Sequence, residues 1–284
     1  MNITVLINAM SGSVPANADT AIAKIIEDAG HTLRLEAASG ADICEITPSA
    51  LAEKPDMVIV WGGDGTTACV LNAAGQFGPP VLALPGGSMN LVHKRLHRGN
   101  LDWESILEDV LANPEPEAFS AGVIGEHRFY VAAMLGRLTK LTDAREAVRR
   151  GAVVEAAQAL TSAEALDLKT RLTFKVEDST DAEPIEAAAG ALVVAGNRWP
   201  RFEIAVINPD SVLDLMAIGL ESWIKGWREA EAVETNVGRK VSITELKGRA
   251  IPATFDGELT ELSGAVTAHV VPNAARVLRA RASG

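Results

Sequence analysis

Over the first 116 residues the apolar positions fall in short runs, and each run ends in a polar or glycine-bearing loop. Residues 3–7, 57–61 and 81–84 are almost uninterrupted apolar stretches, the pattern of strands buried on both faces. Residues 32–37 alternate instead and predict a half-buried strand. Between the runs the period lengthens. Ile22, Ile25 and Ile26 share one face of a helix over 19–29, with Gly30 as its stop. Residues 41–51 predict a weaker helix interrupted by Pro48, and 101–112 a helix with Asp102 as its N-cap. The strand at 57–61 runs into a glycine turn and then a helix through Asn72 and Ala74, capped by Thr66 or Thr67. Strands alternating with helices predict a parallel α/β sheet, whose ligands sit at the carboxyl ends of the strands. Three polar loops fall at such ends: Asn8 to Ser13, Gly62 to Thr66, and Pro85 to Asn90.

The texture changes at Asn113-Pro114-Glu115-Pro116-Glu117. Beyond it, strand-like runs follow one another at 120–124, 128–135, 168–176, 188–195, 202–207, 213–219, 241–245 and 251–254. Sequential strands with short turns predict an antiparallel sandwich, interrupted by helices over 142–165 and 221–232. Ala274, Val277 and Leu278 form an apolar stripe near the end. The expected organisation is therefore an α/β nucleotide-binding domain over 1–116 and a β-sandwich domain over 117–272, with a C-terminal helix over 273–284 packing back on the first.

Composition narrows the classes. Of 284 residues 48% are hydrophobic, enough for a sizeable core, and the formal net charge of −11 argues against nucleic acid as a partner. Cys44 and Cys69 stand in unrelated contexts, which predicts a reducing compartment and no disulfide. No basic residue precedes the first apolar run, a poor start for a signal peptide, and the apolar stretch at 187–195 is too short to span a bilayer. These features predict a cytoplasmic protein.

Strand, glycine turn and helix N-terminus together favour a phosphate, because backbone N–H groups and the helix dipole both attract an anion. Absent side chains at Gly62, Gly63 and Gly65 would let that anion approach. Asp64 is out of place in such a nest unless a metal or a proton transfer employs it. No Gly-Lys-Ser/Thr occurs, which excludes a P-loop. Gly63-x-Gly65-x-x-Ala68 fits a relaxed dinucleotide fingerprint, yet the acidic residue expected about 20 positions on is missing. A purely structural glycine turn is the remaining alternative.

Gly62-Gly63-Asp64-Gly65-Thr66 resembles the signature of the diacylglycerol kinase catalytic domain family, which includes bacterial soluble lipid kinases, sphingosine kinases and ceramide kinases. Ile7-Asn8-Ala9-Met10-Ser11-Gly12 is similar to the family's Asn-Pro-x-Ser-Gly opening, with Ala9 for proline. Pro85-Gly86-Gly87-Ser88-Met89-Asn90 is similar to its Pro-x-Gly-Thr-Gly-Asn loop, and Phe255-Asp256-Gly257-Glu258 to its Asp-Gly-Glu motif. Asn208 to Asp214 matches the family's Asp-Gly-x-Leu-Asp stretch loosely. The glycine pentapeptide is shared with nicotinamide-dinucleotide kinases; Asp256-Gly257-Glu258 favours lipid kinases.

The resemblance implies an ATP- and Mg2+-dependent lipid kinase with its site in a cleft between an α/β domain and a β-sandwich. By that resemblance Asn8, Ser11, Gly63, Asp64, Gly65, Thr66, Gly87, Ser88 and Asn90 line the ATP site. Asp64 and Asp210 are its metal candidates, Asp64 also a catalytic one. Asp256 accepts the proton of the lipid hydroxyl, and Glu258 supports the nucleotide or metal. For Asp256-Gly257 a tight hairpin turn is an equally simple reading, and both can hold. Implied partners are a lipid substrate, a membrane touched peripherally and a second copy in a homodimer. Ala68, Cys69, Met89 and Leu91 depart from the family pattern, and Ser211 weakens a metal role for Asp210. The alternatives are a soluble NAD kinase-like enzyme and a non-catalytic nucleotide or lipid sensor.

Two further features bear on lipid access. Trp223 and Trp227 share a helical face beside Lys225 and Arg228, suited to an interfacial contact or, by the default of burial, to a core. Lys94, Arg95 and Arg98 follow the second glycine loop, placed either for phosphates or as a solvated helix end. The histidines show no metal-ligand spacing and receive no role.

Overall fold

The computed structural model describes residues 1–136, 171–178, 183–207 and 233–281. The expected helices at 142–165 and 221–232, the strand at 213–219, and Asp210, Trp223 and Trp227 lie outside them. The chain divides into two compact units, Met1–Ala121 with Pro272–Gly284, and Gly122–Val271.

The first unit holds β1 (Asn2–Asn8), α1 (Ala18–Asp28), β2 (Thr32–Ala38), α2 (Gly40–Ala52), β3 (Met57–Gly62), α3 (Asp64–Ala74), β4 (Val81–Pro85), α4 (Leu91–Leu96) and α5 (Trp103–Ala112). The strands lie in the order β2-β1-β3-β4 and every neighbouring pair is parallel. All six residues of β3 and all five of β4 are buried, which is why their sequences are apolar without alternation. One core joins Val5, Ile22, Ile26, Ile59, Trp61 and Leu107. Trp61 is fully buried against Trp103, ring centroids 4.4 Å apart, and its indole N–H donates to the carbonyl of Pro85 at 3.2 Å.

Two local expectations change. Pro48 does not interrupt α2, which runs from Gly40 to Ala52 with Ser39 as N-cap accepting the N–H of Asp42. α3 starts at Asp64 behind Gly63, so Thr66 and Thr67 sit in its first turn and cap nothing.

α2 packs on α3, and this brings Cys44 and Cys69 together as a disulfide with a Cα–Cα distance of 5.8 Å. The expectation of unpaired cysteines is thus corrected. Twenty-five residues separate the two in sequence, and only the packing of neighbouring helices joins them.

The second unit is built from β5 (Pro116–Ile124), which the division crosses, β6 (His127–Phe129), β7 (Ala132–Gly136), β8 (Leu172–Val176), β9 (Ile185–Ala187), β10 (Ala189–Ala195), β11 (Arg201–Ile207), β12 (Val233–Gly238), β13 (Lys240–Glu245), β14 (Ile251–Phe255), β15 (Glu258–Leu262) and β16 (Ala265–Leu278). An antiparallel sheet runs β12-β11-β10-β7-β14-β15. A second antiparallel set pairs β16, β13, β8 and β9. Phe129, Phe174, Phe202, Leu192 and Ile243 fill one core from both layers, as a sandwich requires.

The expected C-terminal helix is instead the end of β16, and Val277 pairs in parallel with Val81 of β4. A stripe of Ala274, Val277 and Leu278 fits a helix by spacing, but the open side of β4 offers a backbone partner that outweighs local preference.

His97 fastens this returning segment. It is buried, its Nε2–H donates to the carbonyl of Ala83 at 2.8 Å, and its Nδ1 accepts the N–H of Ala280 at 3.3 Å. Burial lowers its pKa from the usual 6.5 to about 4, with nearby His93 and Arg279 adding to the effect. Above pH 6.5 the ring is neutral whether folded or unfolded, so nothing is lost. Below that, the unfolded chain takes up a proton that the fold refuses, and stability falls until about pH 4. We expect this one group to cost roughly 3 kcal/mol across that window. Urea denaturation at several pH values checks it: His97→Gln should be less stable than wild type at neutral pH, and the gap should shrink on acidification. A gap independent of pH would remove His97 from this role.

Candidate functional site: a closed glycine nest and a tethered hairpin

The three loops expected to bind a ligand do come together at the carboxyl ends of β1, β3 and β4. Their contact is backbone on backbone. The N–H of Gly86 donates to the carbonyl of Gly62 at 2.9 Å. A methyl group on Gly87 would stand 2.7 Å from Cα of Gly63, and one on Gly86 3.0 Å from Cα of Gly62. Glycine is therefore needed here because two chains touch. The first loop closes the ring: Ser11 Oγ donates to the carbonyl of Gly86 at 2.8 Å, as does the N–H of Ser13 at 2.9 Å. Asn8 Nδ2 donates to Thr66 Oγ1 at 2.9 Å, and its Oδ1 accepts the N–H of Met10 at 3.1 Å.

The second glycine loop is shaped by Asn90. This residue has φ of 51°, a left-handed conformation that asparagine tolerates, and is buried. Its Oδ1 accepts the N–H of Gly87 at 2.9 Å while its Nδ2 donates to the carbonyl of Gly87 at 2.8 Å. Ser88, between them, is exposed.

Gly63, Asp64 and Gly65 are partly accessible, and no side chain caps the start of α3. The first amides of that helix thus face the nest with its positive dipole end. Asp64 has a further task. Its Oδ1 accepts the N–H of Val92 at 2.8 Å and lies 3.5 Å from Nδ1 of His93, while Nε2 of His93 stands 3.3 Å from Thr67 Oγ1. The carboxylate therefore ties the start of α3 to the start of α4. His93, fully buried, belongs to the candidate site and was missed from sequence; a partner 29 positions back leaves no local signal.

Of the basic residues after the loop, Arg95 is occupied. Its guanidinium donates to the carbonyl and hydroxyl oxygens of Ser120 at 2.9 and 2.7 Å and lies 4.4 Å over the ring of Phe119.

In the second unit, Asp256 and Gly257 form the two-residue turn of the β14–β15 hairpin, with φ of 48° and 102° and Phe255 opposite Glu258. The hairpin reading thus holds, and the aspartate does more than turn. Oδ2 accepts the N–H of Tyr130 at 2.6 Å, and Oδ1 those of Val131 and Ala132 at 2.8 and 2.9 Å. Three backbone donors thus converge on one carboxylate and fix its orientation. Glu258 is exposed on β15. Among the described residues no three His, Cys, Asp or Glu gather as a metal site, and Asp210 lies outside them.

Against known proteins, residues 2–122 match the family model of the diacylglycerol kinase catalytic domain, so the resemblance carried by the three glycine-bearing loops is shown over that stretch. The chain is also similar in fold to solved structures from Bacillus anthracis str. Sterne. One, of a "putative diacylglycerol kinase", superposes with a TM-score of 0.70 at 15% identity, over 98% of this chain and 96% of that one. Another, of a diacylglycerol kinase, gives a TM-score of 0.67 at 12% identity over the same shares.

Gly87→Ala should cost roughly 1–3 kcal/mol, since the new methyl meets fixed backbone and the loops must part. Gly12→Ala, where nothing lies within 4 Å, should change stability by no more than about 0.5 kcal/mol. Urea midpoints of both variants test this, and equal midpoints would mean that the loops are not locked.

Proposed function

We propose that this chain is an ATP-dependent lipid kinase that moves the terminal phosphoryl group of ATP to a hydroxyl of a diacylglycerol-like, ceramide or sphingoid lipid. The observation that carries the reading is the closed nest of three strand-end loops over the uncapped start of α3, lying within the stretch that matches the diacylglycerol kinase catalytic domain. Phosphoryl transfer asks a protein chiefly for positioning and for donors around the phosphates. Gly63, Gly65 and Thr66 supply backbone donors and Gly87 supplies room; Asn8, Ser11 and Asn90 hold the loops in place. Asp64 and Ser88 border the same nest, and Glu258 would support the nucleotide.

In the reaction the lipid hydroxyl oxygen bonds to the terminal phosphorus, the bond to the bridging oxygen breaks, and ADP leaves with that electron pair. The hydroxyl proton passes to Asp256, whose three backbone tethers fix its direction. Asp64, at the rim of the nest, would hold magnesium, which would supply positive charge against the transferring phosphoryl group. No described helix is long and apolar enough to cross a membrane, and the lipid is reached by peripheral contact with the bilayer surface.

The test offers labelled ATP and Mg2+ with diacylglycerol, ceramide, sphingosine and NAD in parallel. Label on a lipid is the expected result; label on NAD alone overturns the reading, and ATP binding with no transfer favours a sensor. Asp256→Asn should lower kcat about 100-fold or more while leaving the KM for ATP within a few-fold. Undiminished turnover would take Asp256 out of the proton-accepting role.

A further inference from the structure

One exposed loop of the second unit combines features that the proposed transfer chemistry does not use. β10 and β11 are antiparallel neighbours joined by Gly196-Asn197-Arg198-Trp199-Pro200. Gly196, at φ of 74°, turns the chain, and Pro200 is buried beneath the turn. Trp199 is 79% exposed. A large indole facing water offers apolar area that a partner could bury.

Its surroundings are specific. Phe202 is fully buried, so its strand neighbours Arg201 and Glu203 point outward. Glu203 pairs in register with Val237 of the edge strand β12, and Val237 is 54% exposed. Beyond it, Arg239 and Lys240 are exposed too. Trp199, Pro200, Arg201, Val237, Arg239 and Asp178 line a shallow pocket of about 280 Å³. Of the acidic groups here, Asp178 spends its carboxylate on the backbone N–H groups of Arg239 and Lys240, at 2.8 and 3.2 Å, and Glu203 is half-buried. Lys175 and Glu177, further along, pair with each other at 3.8 Å. Arg201 and Arg239 thus share a pocket with an exposed tryptophan, and Arg198 and Lys240, their neighbours along the chain, are exposed as well, in a chain of net charge −11.

We propose that the Trp199 loop and the adjoining end of β12 form a docking surface for an anionic phospholipid bilayer. Tryptophan settles at the level of lipid headgroups, where its ring is covered and its N–H stays wet. The four cations meet lipid phosphates, and the pocket beside the ring admits one headgroup. The net negative charge does not oppose this, since screening at physiological salt limits repulsion to about 8 Å and leaves the local cations to act. Exposed single apolar residues are ordinary on any surface. The coincidence of tryptophan, valine, pocket and cations with matching chemistry sets this patch apart. It deepens the lipid-kinase reading, which needs access to a bilayer, and names the face that supplies it.

Co-sedimentation without ATP tests the surface. Wild type should bind phosphatidylcholine vesicles containing phosphatidylglycerol, bind phosphatidylcholine alone weakly, and release in high salt. Trp199→Ala should weaken binding at least about tenfold, and Arg198→Glu with Arg201→Glu by roughly fivefold or more per charge. Denaturation curves confirm that the variants fold, and Trp199→Tyr should recover part of the binding. Wild-type binding by all variants overturns the proposal, as does a wild type that binds neither vesicle. So does tighter binding to a single-stranded oligonucleotide lost in the same variants, which would make the surface a polynucleotide site. Transfer to a short-chain acceptor below its micelle concentration reads the kinase reaction alone. Its failure with vesicle binding intact would remove the kinase reading and leave the surface.

Discussion

The first unit depends on one close approach: the backbone of Gly86 and Gly87 lying against that of Gly62 and Gly63. No side chain fits between these segments, so the ends of β3 and β4 are held as near as their strands already are. Everything around the contact is built to keep it. Asn8, Ser11 and Ser13 lean on it from β1, and Asn90 accepts a left-handed backbone to turn the second loop back on itself. A nest assembled from backbone amides gains rigidity from this arrangement, because each donor is fixed by the sheet beneath it. Pre-organised donors cost no reordering when an anion arrives.

The second unit reaches the same end by other means. Asp256 sits at the tip of a hairpin, a place where chains are ordinarily mobile. Three N–H groups from Tyr130, Val131 and Ala132 converge on its carboxylate, and its own N–H donates to the carbonyl of Ala132 at 3.0 Å. These four bonds tie the tip to the start of β7. The hairpin and the role proposed for Asp256 do not compete, since the turn places the aspartate and the three amides fix its orientation.

What could be read in advance follows from the range of the interactions. β3 and β4 were legible because burial on both faces writes itself into consecutive apolar residues. The three loops were legible because glycine and asparagine carry their conformations locally. Pairing across the sequence left no such mark. Val277 pairs with Val81, and nothing near residue 277 announces a strand in preference to a helix. Cys44 and Cys69 meet through helix packing, and His93 and His97 find their partners at Asp64 and Ala280 through the fold alone. The histidines were dismissed for lacking metal spacing, while their work is to hold elements together.

The same comparison changes where the charge for an anion must come from. From sequence, Lys94, Arg95 and Arg98 looked like natural partners for phosphates. Arg95 is instead spent on Ser120 and Phe119, anchoring α4 to the strand that follows α5. Asp64 places a negative charge at the rim of the nest, and Val92 and His93 face it on the α4 side. Beside that charge the uncapped α3 amides are a local attraction for a phosphate. Backbone dipoles act over short distances and in fixed directions, so they select by shape and position more than by total charge. On the proposed reading a nucleotide there is recognised by fit to the loops, and the glycine contact is what gives those loops their shape.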